Sequence, residues 1–491
     1  MARLFSFNSN NEVAFIPKRV TALAMMAYIA ALLGCNILFA SHLLNWQWWF
    51  FGMIEVLGFF YFSNTISKSW IHLKPLHFAQ KIFWIAFFLR VIWVVISYAL
   101  YHNWTGTAFT IDAADELMYN AAAQEIAAGM RQGNFNLYAL ASFSMGAHTG
   151  FSDLGYPIYL GIIYWIFGDS VIVARIIKAI LSAWTAVLMY KLATRNFGEY
   201  TGRMTAIMCM LMPNLIYYCS MQLKEVEMVF LCVLFAERAD YLLRQGKLTV
   251  LPTLALMLIP AYMFMIRTAL AATMVMAFFC AILLSSERVV SWGRRALLLV
   301  LASVFAIILL LTSTSIGRDI VQMWEARETT QKVNMEWRSQ RSGELSQRFA
   351  KYAGAAVFAP MIFTIPFPTM AETPGQENQK MIHGGNFVKN ILSYFTIVAL
   401  VIMLLSGEWR RYVFPIALLC GYLVVLTFSS FAHSERFHLP ILSFTLMFAT
   451  YGISKMNQVT WVRKYYPFWC ALMFLAALAW NWFKLAGRGM I

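Results

Sequence analysis

Three carboxylates fall within five positions in TIDAADELMY, residues 110–119: Asp112, Asp115 and Glu116. Carboxylates so grouped suit removal of a proton from a hydroxyl, which needs a base within hydrogen-bond reach. The pattern predicts a helix with Asp112 as its N-cap and Asp115 at N3. Asp115 and Tyr119, four apart, then share one face. A helix start attracts acidic residues without any chemistry. What favours the catalytic reading is their place directly after an apolar run, where a membrane-embedded substrate could meet them. A second group, Lys224, Glu225 and Glu227, follows another apolar run, and Glu227 reads as a surface charge at a helix end. Arg267 stands between the apolar stretches 249–266 and 268–284 with almost no loop to solvate it. A charge so placed faces a cavity or a partner, with snorkelling to the headgroups as the alternative. Last, His433, Glu435, Arg436 and His438 cluster in FAHSERFHLP, residues 431–440. A guanidinium beside histidine and carboxylate could hold a phosphate leaving group, whose developing charge needs cationic partners.

Apolar helices must carry these groups. Of 491 residues, 60% are hydrophobic and 12% charged, against about 25% charged in soluble domains. Apolar runs long enough to cross a hydrocarbon core recur from Val20 to Lys484. Such runs must be helical, because lipid offers the backbone no water. The first, 20–40, is too long for the apolar region of a cleaved signal peptide. The net charge of +15 does not point to nucleic acid, because Lys and Arg concentrate in short loops between runs, where they mark topology. The seven cysteines lie in or at the ends of apolar runs without a CxxC pair, so they read as buried thiols.

The basic clusters, Lys18–Arg19, Lys68–Lys81, Lys191–Arg203, Arg244–Lys247, Arg288–Arg295, Arg410–Arg411 and Lys455–Lys464, predict the cytoplasmic loops. The expectation is an all-α polytopic membrane protein with about thirteen transmembrane helices and a cytoplasmic N terminus, the spans falling near 20–40, 46–66, 82–101, 171–190, 204–220, 226–243, 249–266, 268–285, 296–312, 391–406, 412–430, 437–454 and 467–484. Tyr156–Gly168 is short for a span and predicts a helix lying on the outer face. Tyr352–Pro368, interrupted by Pro360, Pro366 and Pro368, predicts a broken helix on the outer surface. The chain thus divides into three N-terminal helices (1–101), an outer loop with the acidic motif and juxtamembrane helices (102–170), and a transmembrane core (171–312). A second outer loop (313–390) and C-terminal helices (391–491) complete it.

At these residues the chain resembles the GT-C superfamily of polytopic glycosyltransferases, in the branch of protein O-mannosyltransferases and lipid A aminoarabinose transferases. DELMY (115–119), an alanine-rich stretch and Gly129 are similar to that family's first-loop acidic motif. GYPIYLGIIYWIFGD (155–169) resembles its juxtamembrane segment, and Arg175 and KLATRNFG (191–198) continue the match. PNLIYY (213–218) with Lys224 and Glu225 stands at its second acidic motif, and ERFHLP (435–440) resembles its Arg-x-x-x-Pro turn. Order and spacing carry the likeness, most closely from about residue 110 to 245. It implies an inverting transfer from a polyprenyl-phosphate-linked sugar donor to a lipid, glycan or protein hydroxyl, with the first-loop aspartate as base. The setting it implies is a bacterial inner membrane with the site facing the periplasm. Two extra spans precede the acidic loop here. Tyr156 stands where some members carry lysine, so other cations must hold the phosphate. Glu225 replaces aspartate, which leaves open a divalent ion on Glu225 and Asp115.

The expected roles follow. Asp115 is the general base, with Glu116 next in line and Asp112 as a substitute. Tyr119, Tyr156, Lys224, Glu225, Arg267, His433 and Arg436 line the substrate, Lys224, Arg267 and Arg436 holding its phosphate. The loop 313–390 helps bind the acceptor. A polymerase or ligase of lipid-linked glycans is one rival, relying on arginines of that late loop. It has no need of the acidic first loop. A lipid or polysaccharide transporter or flippase is the other. It would place ionisable residues in mid-membrane, whereas these lie nearly all at the ends of the runs.

Overall fold

The computed structural model describes residues 12–146, 153–244, 250–287, 289–300, 361–427, 434–486 and 490–491. Among them there are helices and turns and no strand. The chain opens with α1 (Lys18–Leu38). Next, α2 (Trp46–Met53) passes through a π-helical turn, Ile54–Gly58, into α3 (Phe59–Ser69). After α4 (Pro75–Thr105) come α5 (Ala114–Arg131), α6 (Leu137–Met145) and α7 (Gly155–Phe167). Then follow α8 (Val171–Phe197), α9 (Glu199–Leu211), α10 (Pro213–Tyr217), α11 (Glu225–Arg244), α12 (Val250–Phe264) and α13 (Thr268–Leu284). The C-terminal part holds α14 (Glu377–Met381), α15 (His383–Leu405), α16 (Val413–Thr427), α17 (Glu435–Ser454) and α18 (Thr460–Ala486).

Six of these, α1, α4, α8, α15, α17 and α18, are long and apolar enough to cross a membrane, and α7, α12, α13 and α16 are apolar but shorter. The architecture is that of an all-α membrane protein. Two of the expected spans are interrupted. The run 46–66 contains the π turn, and the run 204–220 breaks at Met212 because Pro213 cannot continue α9. The carbonyls of Cys209 and Met210 left open there accept from the guanidinium of Arg90. The expected span 296–312 lies mostly outside the described residues.

At the centre is α17, buried along nearly its whole length against α15, α11 and α9. Lipid gives helices no hydrophobic reason to associate, so close backbone approach matters. On α8 the small residues Ala174, Ala183, Ala186 and Ala193 are buried where it packs on α4, α9 and α11.

Contacts between loops sort the helix ends into two sets. At one end Val13 N–H donates to Ser454 O, Arg203 to the carbonyls of Trp70 and Ile71, and Ser286 N–H to Arg410 O. The described basic clusters lie here. At the other, Gln222 N–H donates to Glu116, Gly155 N–H to Met265 O, and Glu372 N–H to His42 O. Both ends of α7 stay at this acidic end, since Gly155 meets Met265 while the Tyr164 hydroxyl meets Asn120 and Gln222. This short helix therefore lies across the bundle end without traversing it.

Residues 361–371 differ from the expected surface helix; 352–360 lie outside the described residues. The chain runs irregularly and largely buried between α15 and α18. Carbonyls of Phe363, Ile365 and Pro366 accept from Ser393, Lys389 and Asn390, and the amides of Met370 and Ala371 donate to Asn481 Oδ1. Prolines forbid the helix, and irregular backbone is tolerated at depth only when protein groups satisfy it.

Candidate functional site

Helix α5 starts at Ala114 with Ala113 as N-cap, one residue later than the sequence predicts, and no side chain caps it. The reason is tertiary. Glu116 turns back and accepts from Thr110 Oγ1 at 2.5 Å and from the Gln222 amide at 2.8 Å. It lies 3.5 Å from Arg175 Nη2 and is fully buried. Asp112 is no cap. It faces α14, where the Asn378 amide donates to it, and burial together with the nearby Glu377 raises its pKa above the usual carboxylate range.

Asp115 and Tyr119 occupy one face of α5 and meet the remaining candidates there. Asp115 Oδ2 accepts from Arg436 Nη1 at 2.6 Å, and Arg436 Nε lies 3.8 Å from Glu225 Oε1. One guanidinium thus bridges two carboxylates. Asp115 is 42% exposed, whereas Glu225 is buried and its Oε2 has no partner. Glu225 borders a cavity of about 10 Å³ with Tyr218 and Ser182, the room of one water.

Cations and rings alternate around this pair. Lys224 Nζ is ion-paired with Asp153, donates to Ile266 O at 2.9 Å, and lies 5.8 Å from the centre of the Tyr119 ring. Burial pushes the Lys224 ammonium below the usual lysine range, with Asp153 pulling the other way. Tyr119 packs edge-on against Tyr156 at 5.1 Å, and Lys178 lies over Tyr156 at 5.0 Å. Arg267, the extended residue before α13, and Arg436 both stack on Phe437, at 4.3 and 5.1 Å. The buried Arg267 Nε has no hydrogen-bond partner. A guanidinium held over an aromatic face with an unused N–H is suited to an incoming anion.

The structure therefore gathers Asp115, Tyr119, Tyr156, Lys224, Glu225, Arg267 and Arg436 at one end of the bundle. It sets Glu116 beneath them and Asp112 to one side; His433 lies outside the described residues, as does 313–360 of the second loop. A divalent ion shared by Asp115 and Glu225 does not fit, because the Arg436 guanidinium fills the space between them.

Several groups escape the sequence reading. Glu227 is no surface charge: it is buried and lies 3.6 Å from Lys178 Nζ. Lys178 also donates to the carbonyls of Met221 and Leu223, holding the loop that carries Lys224. Arg175 and Lys178, three apart within one apolar run, were the available signal for a polar helix face. Lys389 Nζ lies 3.0 Å from His438 Nδ1, and Glu435 accepts from the Tyr218 hydroxyl at 3.2 Å. Nor do ionisable residues keep to helix ends. Arg90 is fully buried halfway along α4, bonded to Ser182 and to the carbonyls of Ala86, Cys209 and Met210, so it serves as a strut.

No family model, curated protein or solved structure matches the chain.

Proposed function

We propose that the chain is a multi-pass glycosyltransferase of GT-C type, with about thirteen membrane helices, that moves a sugar from a polyprenyl-phosphate donor to an acceptor hydroxyl. The observation that supports this reading best is the half-exposed Asp115 carboxylate, tied to Arg436 and Glu225 and set near the stacked Arg267. By the positive-inside rule the basic end is cytoplasmic, which puts the site at the non-cytoplasmic face; a bacterial inner membrane is the setting.

In this mechanism Asp115 takes the proton of the acceptor hydroxyl. The hydroxyl oxygen attacks the anomeric carbon, and the bond from that carbon to the carrier phosphate oxygen breaks. The electron pair leaves with the phosphate, whose charge Arg267 and Lys224 stabilise, and the configuration inverts. Arg436 orients Asp115, and Glu225 holds Arg436 from the other side. The acceptor hydroxyl is that of a lipid, a glycan or a protein. The test is consumption of labelled polyprenyl-phosphate sugars by the purified protein in liposomes, with release of carrier phosphate expected. Failure to consume any donor, with lipid, glycan and protein acceptors supplied, would overturn the proposal.

A further inference from the structure

The basic end carries a pocket unrelated to the acidic site. There α13 ends at Leu284 and a helix resumes at Trp292. Between them and the turn Glu408–Arg411 lies a cavity of about 240 Å³, lined among others by Leu284, Ser286, Trp292, Arg295 and Arg410. Ser286 N–H donates to Arg410 O and fixes the two sides together. The Arg295 guanidinium donates from Nη2 to Ser285 O at 2.8 Å and lies 4.6 Å from the Trp292 ring centre, while its buried Nε has no partner. Among the described residues no carboxylate pairs with Arg295 or Arg410. Glu287, on the same wall, accepts from the Trp292 indole at 2.5 Å.

We propose that this pocket binds the phosphate headgroup of an anionic phospholipid from the leaflet on the basic side. Two guanidiniums without a carboxylate partner are matched to a phosphate diester. What selects a lipid over a free anion is the continuation of the site. Leu283 and Leu284, each about half exposed, extend an apolar path along α13 on which acyl chains can lie. Trp292 is exposed at the boundary, where indoles anchor at the headgroup level. Basic pockets between membrane helices on the cytoplasmic side hold anionic headgroups on these principles. The inference requires only that this end meets a membrane surface, so it stands or falls apart from the transferase reading.

The test uses the full chain in mild detergent and native mass spectrometry with phosphatidylglycerol, phosphatidylcholine or inorganic phosphate. Phosphatidylglycerol should be retained in preference to phosphatidylcholine. The double variant Arg295→Gln, Arg410→Gln should lower its affinity by about thirtyfold, the attraction of two basic residues at a membrane surface. On the wild type, a photoactivatable phosphatidylglycerol should label peptides containing residues 283–300 or 408–411, which needs no variant to fold. Equal retention of the two lipids, labelling confined to other peptides, or an undiminished preference in the double variant each overturns the proposal. Full displacement by millimolar inorganic phosphate overturns it as well, by showing a free-anion site.

Discussion

Glu116 and Asp115 are neighbours in sequence with opposite expected phenotypes, and Glu116→Gln separates them. The Glu116 carboxylate accepts from Thr110 Oγ1 and the Gln222 amide and faces Arg175, all in a fully buried setting. Arg175 donates besides to Ala108 O at 2.8 Å, while its Nε and Nη1 have no partners. Neutralising Glu116 therefore leaves a buried guanidinium without its carboxylate, a loss of about 3–5 kcal/mol. Adding Arg175→Met removes the stranded charge, and the double variant should regain about 1–3 kcal/mol relative to the sum of the singles. Unfolding in mixed detergent micelles of increasing dodecyl sulfate content, followed by circular dichroism, reads these differences. Asp115→Asn in the same assay should stay within about 0.5 kcal/mol of wild type, because its side chain is partly exposed. A Glu116→Gln protein as stable as wild type, or strictly additive singles, would refute the assignment of Glu116 to the framework.

Arg436→Lys keeps the charge but loses the fork that reaches Asp115 and Glu225 together, so donor turnover should drop about a hundredfold with unchanged stability. Lys224, whose pKa is lowered by burial, should lose its proton below the ordinary lysine value of about 10.4. Donor KM should therefore rise with pH before that value is reached, and Lys224→Arg should remove the rise; identical pH profiles would count against phosphate binding by Lys224. The sign for stability is opposite: between the folded and unfolded pKa values the unfolded chain binds more protons, so this residue's contribution grows as pH rises through that window. Gly384→Ala places a Cβ 2.6 Å from Glu55 Oε2 and 2.8 Å from Gly52 O where α15 seats on the π turn, and should destabilise by about 1–3 kcal/mol. Gly58→Ala, whose Cβ meets nothing within 4 Å, should instead be neutral or stabilising in the same unfolding assay.

What the sequence could reveal was local. Length alone distinguished α7, too short to cross, and its ends indeed stay at one face. The prolines of 360–368 announced a break, but not where the chain would go. Its burial depends on a polar row, Lys389, Asn390 and Ser393, hidden inside an apolar run of α15. Glu227 looked like a surface charge because its partner Lys178 sits on another helix, in an apolar run that shows no reason to meet it. The start of α5 was misplaced for a similar cause: the pull of Gln222 and Arg175 on Glu116 is a long-range contact that capping patterns do not encode. The acidic motif, Arg267 and the ERFHLP turn could each be read as sites, whereas the stacking of Arg267 and Arg436 on one ring, Phe437 of that turn, is visible only in three dimensions.

The most direct test of the central claim compares wild type, Asp115→Asn and Arg267→Gln in transfer from a panel of labelled polyprenyl-phosphate sugars. The account predicts carrier-dependent consumption by wild type, none by Asp115→Asn, and weakened donor binding in Arg267→Gln. Full turnover in Asp115→Asn would contradict the role of the base, and no consumption of any donor by wild type would contradict the transferase reading itself.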